Sequence, residues 1–226
     1  MRYLQVIIIL SIVSITATAN SLLIKSVDIY SSSGVKKNTN VLIENGQITE
    51  IGQRISHTAD REIDGTGKSI TAGLFNASTH IGAVEVSAIG ATVDSYSEND
   101  SVTASLKIAE AFNPNSTLIP HNRTHGLTHA LIVPDSATHL FSGQVGLIQL
   151  GANPRVVHDS LAVAVDFSEY GFELSGNSRA AALVELRQAL DDAKDFSRNR
   201  KSALAGDHRD YELSYADLTA LEPVVL

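Results

Sequence analysis

Residues 20–70 carry short apolar runs that alternate with polar positions and are separated by tight turns. Residues 22–30 have the partial alternation of a β-strand. Residues 40–52 form two such runs around the dipeptide Asn45-Gly46, which readily adopts the positive φ angles of a two-residue type I′ turn. This stretch predicts a β-hairpin, and a second turn at residues 64–68 leads into another short strand. The pattern predicts a small β-rich segment over residues 20–70.

The pattern changes after Gly73, where strand-like runs alternate with helical spacing. Alternation of this kind indicates an α/β fold with a parallel sheet. The final apolar run, residues 221–226, predicts the start of a further strand. Strand-like runs lie at residues 126–134, 146–150 and 161–167, and helical spacing occupies residues 102–112 and 179–199.

The first 19 residues have the composition of a secretion signal. Arg2 supplies a positive start, residues 4–15 are mostly apolar, and Ala17-Thr18-Ala19 matches the small-x-small cleavage pattern. An uncleaved membrane anchor is the alternative, but the apolar run is shorter than the roughly 20 residues that a membrane span needs. We therefore predict cleavage after Ala19 and export. Because the chain has no cysteine, a bacterial periplasmic location without disulfides is the expectation.

Charge and composition exclude several classes of partner. The formal net charge is −8 and the pI is about 5.4, whereas nucleic-acid-binding proteins normally present a basic face. The chain has no tryptophan, which disfavours a carbohydrate-stacking module. We expect a small-molecule substrate, no nucleic acid and no stable membrane association after signal cleavage. The sequence leaves the oligomeric state open, with a homo-oligomer among the options.

His80 is the leading candidate for a functional side chain. It ends the run from Gly73-Leu74 through Ser78, Thr79 and His80. Residues i and i+2 of a strand point to the same face, so a ligand at position 78 could share a metal ion with His80. Position 78 holds serine, whose hydroxyl is a poor zinc ligand. A histidine satisfied by hydrogen bonds at a packed strand end is the alternative interpretation.

Three further histidines, His121, His125 and His129, follow one another at four-residue spacing. On one helix they would line a single face, as in zinc-binding helices. However, Gly126 interrupts the segment and strand composition begins at Thr128. In extended geometry His125 and His129 lie too far apart for one ion, so we do not expect the trio to form a metal site.

Acidic residues after the first strand of the second region, Glu85, Asp94 and Glu98, could act as a general base near a metal. No pair among them is singled out by spacing. The sequence has no nucleophile elbow, phosphate-binding loop or dinucleotide-binding glycine fingerprint.

The order of these motifs resembles the amidohydrolase superfamily, and in particular a secreted, imidazolonepropionase-related branch of it. The β-rich segment, Gly73-Leu74, His80 and Gly126-Leu127-Thr128 occur in the sequence expected of that family. In the family two histidines at positions equivalent to 78 and 80 bind a catalytic metal, so the resemblance implies His80 as a metal ligand. The local patterns Asn113-Pro114 and Ser142-Gly143-Gln144 belong to the same resemblance, without an assigned role.

The resemblance implies an N-terminal β-sandwich segment over residues 20–70 and the first part of a TIM-type (β/α) barrel over residues 71–226. An eight-fold barrel typically needs roughly 250 residues, so the second region is predicted to be truncated. A complete small domain is the alternative.

The implied activity is metal-dependent hydrolysis, with zinc as the expected divalent metal, of a carbon–nitrogen bond other than a peptide bond in a small cyclic amide or related molecule. This chain by itself is expected to lack most of the metal ligands, and no catalytic residue is assigned. The alternatives are a non-catalytic periplasmic binding or scaffold protein of the same fold, and an unrelated exported β/α protein.

Overall fold

The computed structural model describes residues 21–225, and the predicted signal sequence lies outside them. The described chain forms two compact units that divide between Ala72 and Gly73. Among residues 21–225, no helix has both the length and the apolar character needed to cross a membrane.

The first unit is a five-stranded sheet built on its two long N-terminal strands. β1 pairs antiparallel with β2 and β2 with β3, whereas β4 and β5 both run parallel to β1. The predicted hairpin is confirmed, since Asn45 and Gly46 connect β2 and β3 with φ values of 52° and 78°. The strands are β1 Ser21–Ser31, β2 Gly34–Glu44, β3 Gln47–Gly52, β4 Arg61–Asp64 and β5 Ser69–Ile70.

The second unit contains a four-stranded mixed sheet in the order β6-β7-β8-β9. Its strands are β6 Leu74–Thr79, β7 Leu127–Ile132, β8 Phe141–Gln149 and β9 Arg155–Val165. β6 and β7 are parallel, but β7–β8 and β8–β9 are antiparallel. The predicted parallel sheet is therefore wrong beyond the first pair. The connections from β7 to β8 and from β8 to β9 are too short for the crossover that parallel strands require.

Four α-helices lie in the described part of the second unit: α1 Leu118–Thr124, α2 Glu169–Leu174, α3 Arg179–Ala205 and α4 Tyr215–Val225. Short 3₁₀ turns occupy Gly90–Thr92 and Ile108–Ala111.

The helix predicted over residues 179–199 is confirmed as α3. Ser178 caps its N-terminus by accepting a hydrogen bond from the Ala181 N–H, and Gly206 ends it at a φ of 79°. Ala189, Ala193 and Phe196 are buried against Phe141 of β8 and against α4. Leu183 belongs to the same helical period but is 42% exposed.

The helix predicted over residues 102–112 is wrong. Most of this segment is irregular, and only Ile108–Ala111 forms a 3₁₀ turn. Some of its backbone groups bond to distant partners: the Ser105 N–H donates to Asp217 Oδ1 at 2.7 Å, and the Leu106 carbonyl accepts from the Gln144 N–H of β8 at 2.6 Å. Local helical spacing was outweighed by tertiary hydrogen bonds.

The strand predicted from residue 221 is also wrong, because this region belongs to α4. Leu218 and Leu221, three residues apart, are both buried against the α3 core. The helix contains Pro223, which lies in its last turn. Apolar residues at three-residue spacing are typical of a helix face, and the short run did not distinguish this from a strand.

A cluster of polar side chains ties the segment after α3 back onto that helix; we call it the α3 clasp. It consists of Asp192 and Asp195 from α3 and of His208, Arg209 and Tyr211 from the connection to α4. Asp195 accepts hydrogen bonds from Tyr211 Oη at 2.9 Å and from His208 Nε2 at 2.7 Å. Arg209 bonds to the buried Asp192 at 2.6 Å and approaches Asp195 at 3.3 Å. The cluster holds a chain reversal in place.

The α3 clasp alters the ionisation of its members. The hydrogen bond from His208, followed by that from Tyr211, lowers the pKa of Asp195 from 3.8 to about 2. Burial, together with the hydrogen bond to Asp195, raises the pKa of Tyr211 to about 12. A lowered carboxyl pKa stabilises the folded chain above pH 3.8, and that contribution is lost as pH falls toward 2.

We expect the Asp195→Asn variant to lose part of the acid dependence of stability. Between pH 4 and pH 2 the melting temperature of the wild type should fall more steeply than that of the variant, because asparagine has no proton to take up. Melting curves followed by circular dichroism at pH 2, 3, 4 and 7 measure this difference. Asp191→Asn, at a position with a 72% exposed side chain, is the matched control and should follow the wild type. If the melting temperature fell equally steeply with pH for all three proteins, the lowered pKa of Asp195 would not contribute to the acid dependence of stability.

Candidate functional site

The candidate site lies where the parallel strands β6 and β7 end. His80 follows β6 directly, and Asp135 follows β7 after Val133 and Pro134. The Val133 N–H donates to the Thr79 carbonyl at 3.2 Å, which keeps the two strand ends together. His80 Nε2 lies 3.2 Å from Asp135 Oδ1. The fold thus joins residues that are far apart in sequence at the carboxyl ends of parallel strands.

A tight turn orients His80. Its carbonyl accepts hydrogen bonds from the N–H groups of Ala83 and Val84, both at 2.9 Å. Gly82 in this turn has a φ of 86°, and a Cβ there would lie 2.5 Å from the Phe112 ring. Only glycine suits this position, so the backbone that carries the imidazole is closely constrained.

Asp135 is fixed from the other side by Ser95. Ser95 Oγ donates to Asp135 Oδ2 at 2.7 Å, and the Asp135 N–H donates to the Ser95 carbonyl at 2.8 Å. One carboxylate oxygen therefore faces Ser95 and the other faces His80. The His80 and Asp135 side chains are 38% and 49% exposed, so a small molecule has access to both.

An open cavity of about 650 Å³ adjoins Asp135. The Tyr170 hydroxyl donates to the Ala137 carbonyl at 3.0 Å and so fixes one wall. A second cleft of about 410 Å³ shares Asp135, Ser136 and Tyr170 with the first. The volume suits a small ligand. The cavity is lined by Tyr96, Glu98, Asp135, Ser136, Ala137, Thr138 and Tyr170.

Ser78 is exposed, and its backbone N–H donates to Asn76 Oδ1 at 3.0 Å. The pairing of β6 with β7 shifts register between Asn76 and Thr79. The simple alternation used to place positions 78 and 80 on one face is interrupted at this irregularity.

The three acidic candidates from the sequence have different surroundings. Glu98 lines the cavity beside Asp135, and Asp94 is exposed. Glu85 has one carboxylate oxygen that is buried without a hydrogen-bond partner. Of these three, only Glu98 lines the cavity that Asp135 also lines.

The histidine trio does not gather around one point. His121 lies in α1 and His125 caps its end, with ring centroids 4.8 Å apart. His129 lies in β7, where its Nδ1 is 3.1 Å from Thr128 Oγ1. Across residues 21–225, no three or more histidine, aspartate, glutamate or cysteine side chains come close enough to hold a metal ion.

Asp135 and Ser95 were missed by sequence reasoning. The signal for Asp135 was its position just after a buried strand closed by Pro134, because parallel strands place their carboxyl ends at one edge. Nothing in the sequence indicated Ser95, which reaches the site through a hydrogen bond spanning forty residues.

Comparison with known proteins gives the fold. An amidohydrolase from Thermotoga maritima MSB8 superposes with a TM-score of 0.72 and 23% identity over 90% of this chain. The chain therefore shares the fold of this Thermotoga protein over that span. The match covers 55% of the Thermotoga chain, so this chain spans about half of that protein's length. The resemblance seen in the sequence is confirmed at this level, as an α/β structure with mixed sheets.

The other comparisons give no further information on the fold. No family model and no curated protein matches the chain. A prolidase in complex with N-methylphosphonate-L-proline matches 49% of the chain at 17% identity, with a TM-score of 0.32. Another amidohydrolase matches 29% of the chain at 25% identity, with a TM-score of 0.26.

Proposed function

We propose that this amidohydrolase-fold chain forms part of a metal-dependent hydrolase that cleaves a carbon–nitrogen bond, other than a peptide bond, in a small cyclic amide or related molecule. The observation that carries the proposal is the contact between His80 and Asp135 beside an open cavity. Within it, residues 20–70 would be a β-sandwich segment and residues 71–226 the first part of a TIM-type barrel. The Thermotoga amidohydrolase, of which the chain spans 55%, supports this assignment.

The donor atoms of His80 and Asp135 suit a divalent metal. Imidazole nitrogen and carboxylate oxygen are both zinc ligands, with bond lengths of about 2.0–2.2 Å. Two such ligands on a tetrahedral ion lie about 3.3 Å apart by this geometry, and His80 Nε2 and Asp135 Oδ1 are 3.2 Å apart. Residues 21–225 supply two donors, fewer than a zinc site needs, so the proposal assigns the others to the part of the fold that this chain does not span.

A bound divalent metal supplies an activated water and polarises the substrate carbonyl. The residues of this chain position the reactants. Asp135 is held by Ser95 through its Oδ2, which would leave Oδ1 free to act as a metal donor beside His80 Nε2. Tyr96 and Tyr170 form apolar walls with polar tips around the small substrate, and Glu98 presents an acceptor for an amide N–H.

We expect His80→Gln and Asp135→Asn each to weaken zinc binding at this site by about tenfold or more, because each removes or weakens one donor. Metal content is measured by mass spectrometry on purified protein, and on a version extended with any downstream reading frame. Asp94→Asn, an exposed carboxylate in the neighbouring loop, is the matched control and should bind as the wild type does. Failure of both versions to hold near-stoichiometric zinc, manganese or iron would end the hydrolase proposal.

A non-catalytic binding protein of the same fold is the second candidate. Serine at position 78, in place of the histidine expected in the family, favours it. Such a protein would bind a small molecule in the cavity without metal, and chelation would leave the affinity unchanged. In the hydrolase proposal, by contrast, turnover of a cyclic amide depends on the metal, so chelation would abolish it.

Export to a bacterial periplasm, with cleavage after Ala19, is part of the proposal and rests on the composition of residues 1–19 alone.

A further inference from the structure

His121 and His125 form a pair of imidazoles on the surface of the second unit. They are four residues apart, and α1 places them on the same side with ring centroids 4.8 Å apart. Both side chains are exposed. We call these two residues the α1 histidine pair.

The tautomer of His125 is set by a backbone contact. Its Nδ1 lies 2.8 Å from the His121 carbonyl oxygen. A carbonyl oxygen can only accept, so in the neutral ring Nδ1 carries the proton and Nε2 keeps its lone pair. Metal-binding histidines usually donate their other ring N–H to a carbonyl or carboxylate in this way. His125 is therefore held in the form that binds metals.

We propose that the α1 histidine pair binds a divalent transition-metal ion, with Cu²⁺ held most tightly. Two histidines four residues apart on a helix present their rings to one ion. Imidazole nitrogen prefers late first-row metals, with Cu²⁺ above Ni²⁺ and Zn²⁺ in affinity. Two protein ligands leave the remaining coordination positions to water, so binding is reversible.

This site is separate from the His80–Asp135 pair. His125 precedes the start of β7, whereas Asp135 follows its end. A six-residue strand at about 3.3 Å per residue separates the two sites by roughly 20 Å. Loss of one site therefore leaves the other in place.

The test is titration of the purified full chain with Cu²⁺, followed by calorimetry and by electron paramagnetic resonance. In the His80→Gln background, which removes a donor of the proposed zinc site, the chain should bind one ion with a spectrum of nitrogen coordination. His121→Gln and His125→Gln should each weaken that binding by about tenfold or more. In that background His129→Gln should leave the binding unchanged, and because the His80 site is already removed there, failure of this proposal is distinguished from failure of the hydrolase proposal.

A matched variant tests the spacing. Thr117 is an exposed residue just before α1 whose side chain makes no capping hydrogen bond. The double variant Thr117→His with His121→Gln keeps the number of histidines but places them eight residues apart, about 12 Å along a helix. It should bind as weakly as His121→Gln alone. The proposal is overturned if, in the His80→Gln background, His121→Gln binds Cu²⁺ as the parent chain does, or if the double variant restores binding.

Discussion

Replacing Asp217 with alanine is expected to lower the free energy of unfolding of the second unit by about 3–4 kcal/mol. Asp217 is completely buried. Its Oδ1 accepts hydrogen bonds from the N–H groups of Thr103 at 3.0 Å and Ser105 at 2.7 Å. Its Oδ2 accepts from Ser214 Oγ at 2.7 Å. Alanine would remove the partner of the buried Thr103 N–H and of the partly buried donors of Ser105 and Ser214, and a buried donor left unpaired costs about 1–3 kcal/mol.

The Asp217→Asn variant keeps the side-chain volume and part of the hydrogen bonding, so its comparison with alanine shows how much the hydrogen bonds contribute to stability. Its single carbonyl oxygen can still accept from Thr103 and Ser105, so Asp217→Asn should cost about 1–2 kcal/mol. Asp191→Ala, at an exposed site of α3, should change stability by about 0.5 kcal/mol or less. Urea unfolding measures all three. Equal losses for the alanine and asparagine variants would mean that the buried hydrogen bonds contribute little.

Replacing Phe196 with alanine is expected to cost about 3–5 kcal/mol. The ring is completely buried at the centre of the α3–α4 core. It stacks on Tyr215 with centroids 5.2 Å apart and meets Tyr211 edge-on at 5.9 Å, while the Arg200 guanidinium lies 5.1 Å from its centroid. Alanine would leave a cavity and remove these aromatic contacts, which each contribute about 0.5–1.5 kcal/mol.

Two further variants distinguish loss of volume from loss of helix stability. Phe196→Leu retains much of the volume and should cost about half as much as alanine. Leu183→Ala removes a partly exposed side chain from the same helix and should cost about 1 kcal/mol or less. Thermal unfolding of the three variants at one pH measures the series. If Leu183→Ala were as damaging as Phe196→Ala, the core would lie on the other face of α3.

Elements defined by local chemistry could be predicted from the sequence. The turn at Asn45-Gly46 requires positive φ at both residues, and these two residues supply it. α3 has an N-cap serine, a terminal glycine and a long apolar period. Leu183 falls on its apolar period yet is 42% exposed, because periodicity alone does not show where the neighbouring elements stop.

Elements defined by distant partners could not be predicted. Residues 102–112 have helical spacing, but the N–H groups of Thr103 and Ser105 bond to Asp217 and the Leu106 carbonyl bonds to β8. The direction of β8 depends on connection length rather than on composition. Both errors come from tertiary interactions, which a single sequence does not display.

Of the His80–Asp135 pair, the sequence indicated His80 but not Asp135. His80 was found because a family resemblance pointed to its strand, and the structure places it at the end of β6. Asp135 comes from the next parallel strand, and its contact with His80 depends on a register that only the fold defines.

The hydrogen bonds from Thr103 and Ser105 to Asp217 span 114 and 112 residues of sequence. Contacts that close such long loops form late and slow folding. Until α4 is present, residues 102–112 are free to follow their own helical preference, in conflict with the native path. We therefore expect the buried carboxylate of Asp217 to favour the native path of residues 102–112 over a local helix, and the second unit to complete its folding only when its last helix docks.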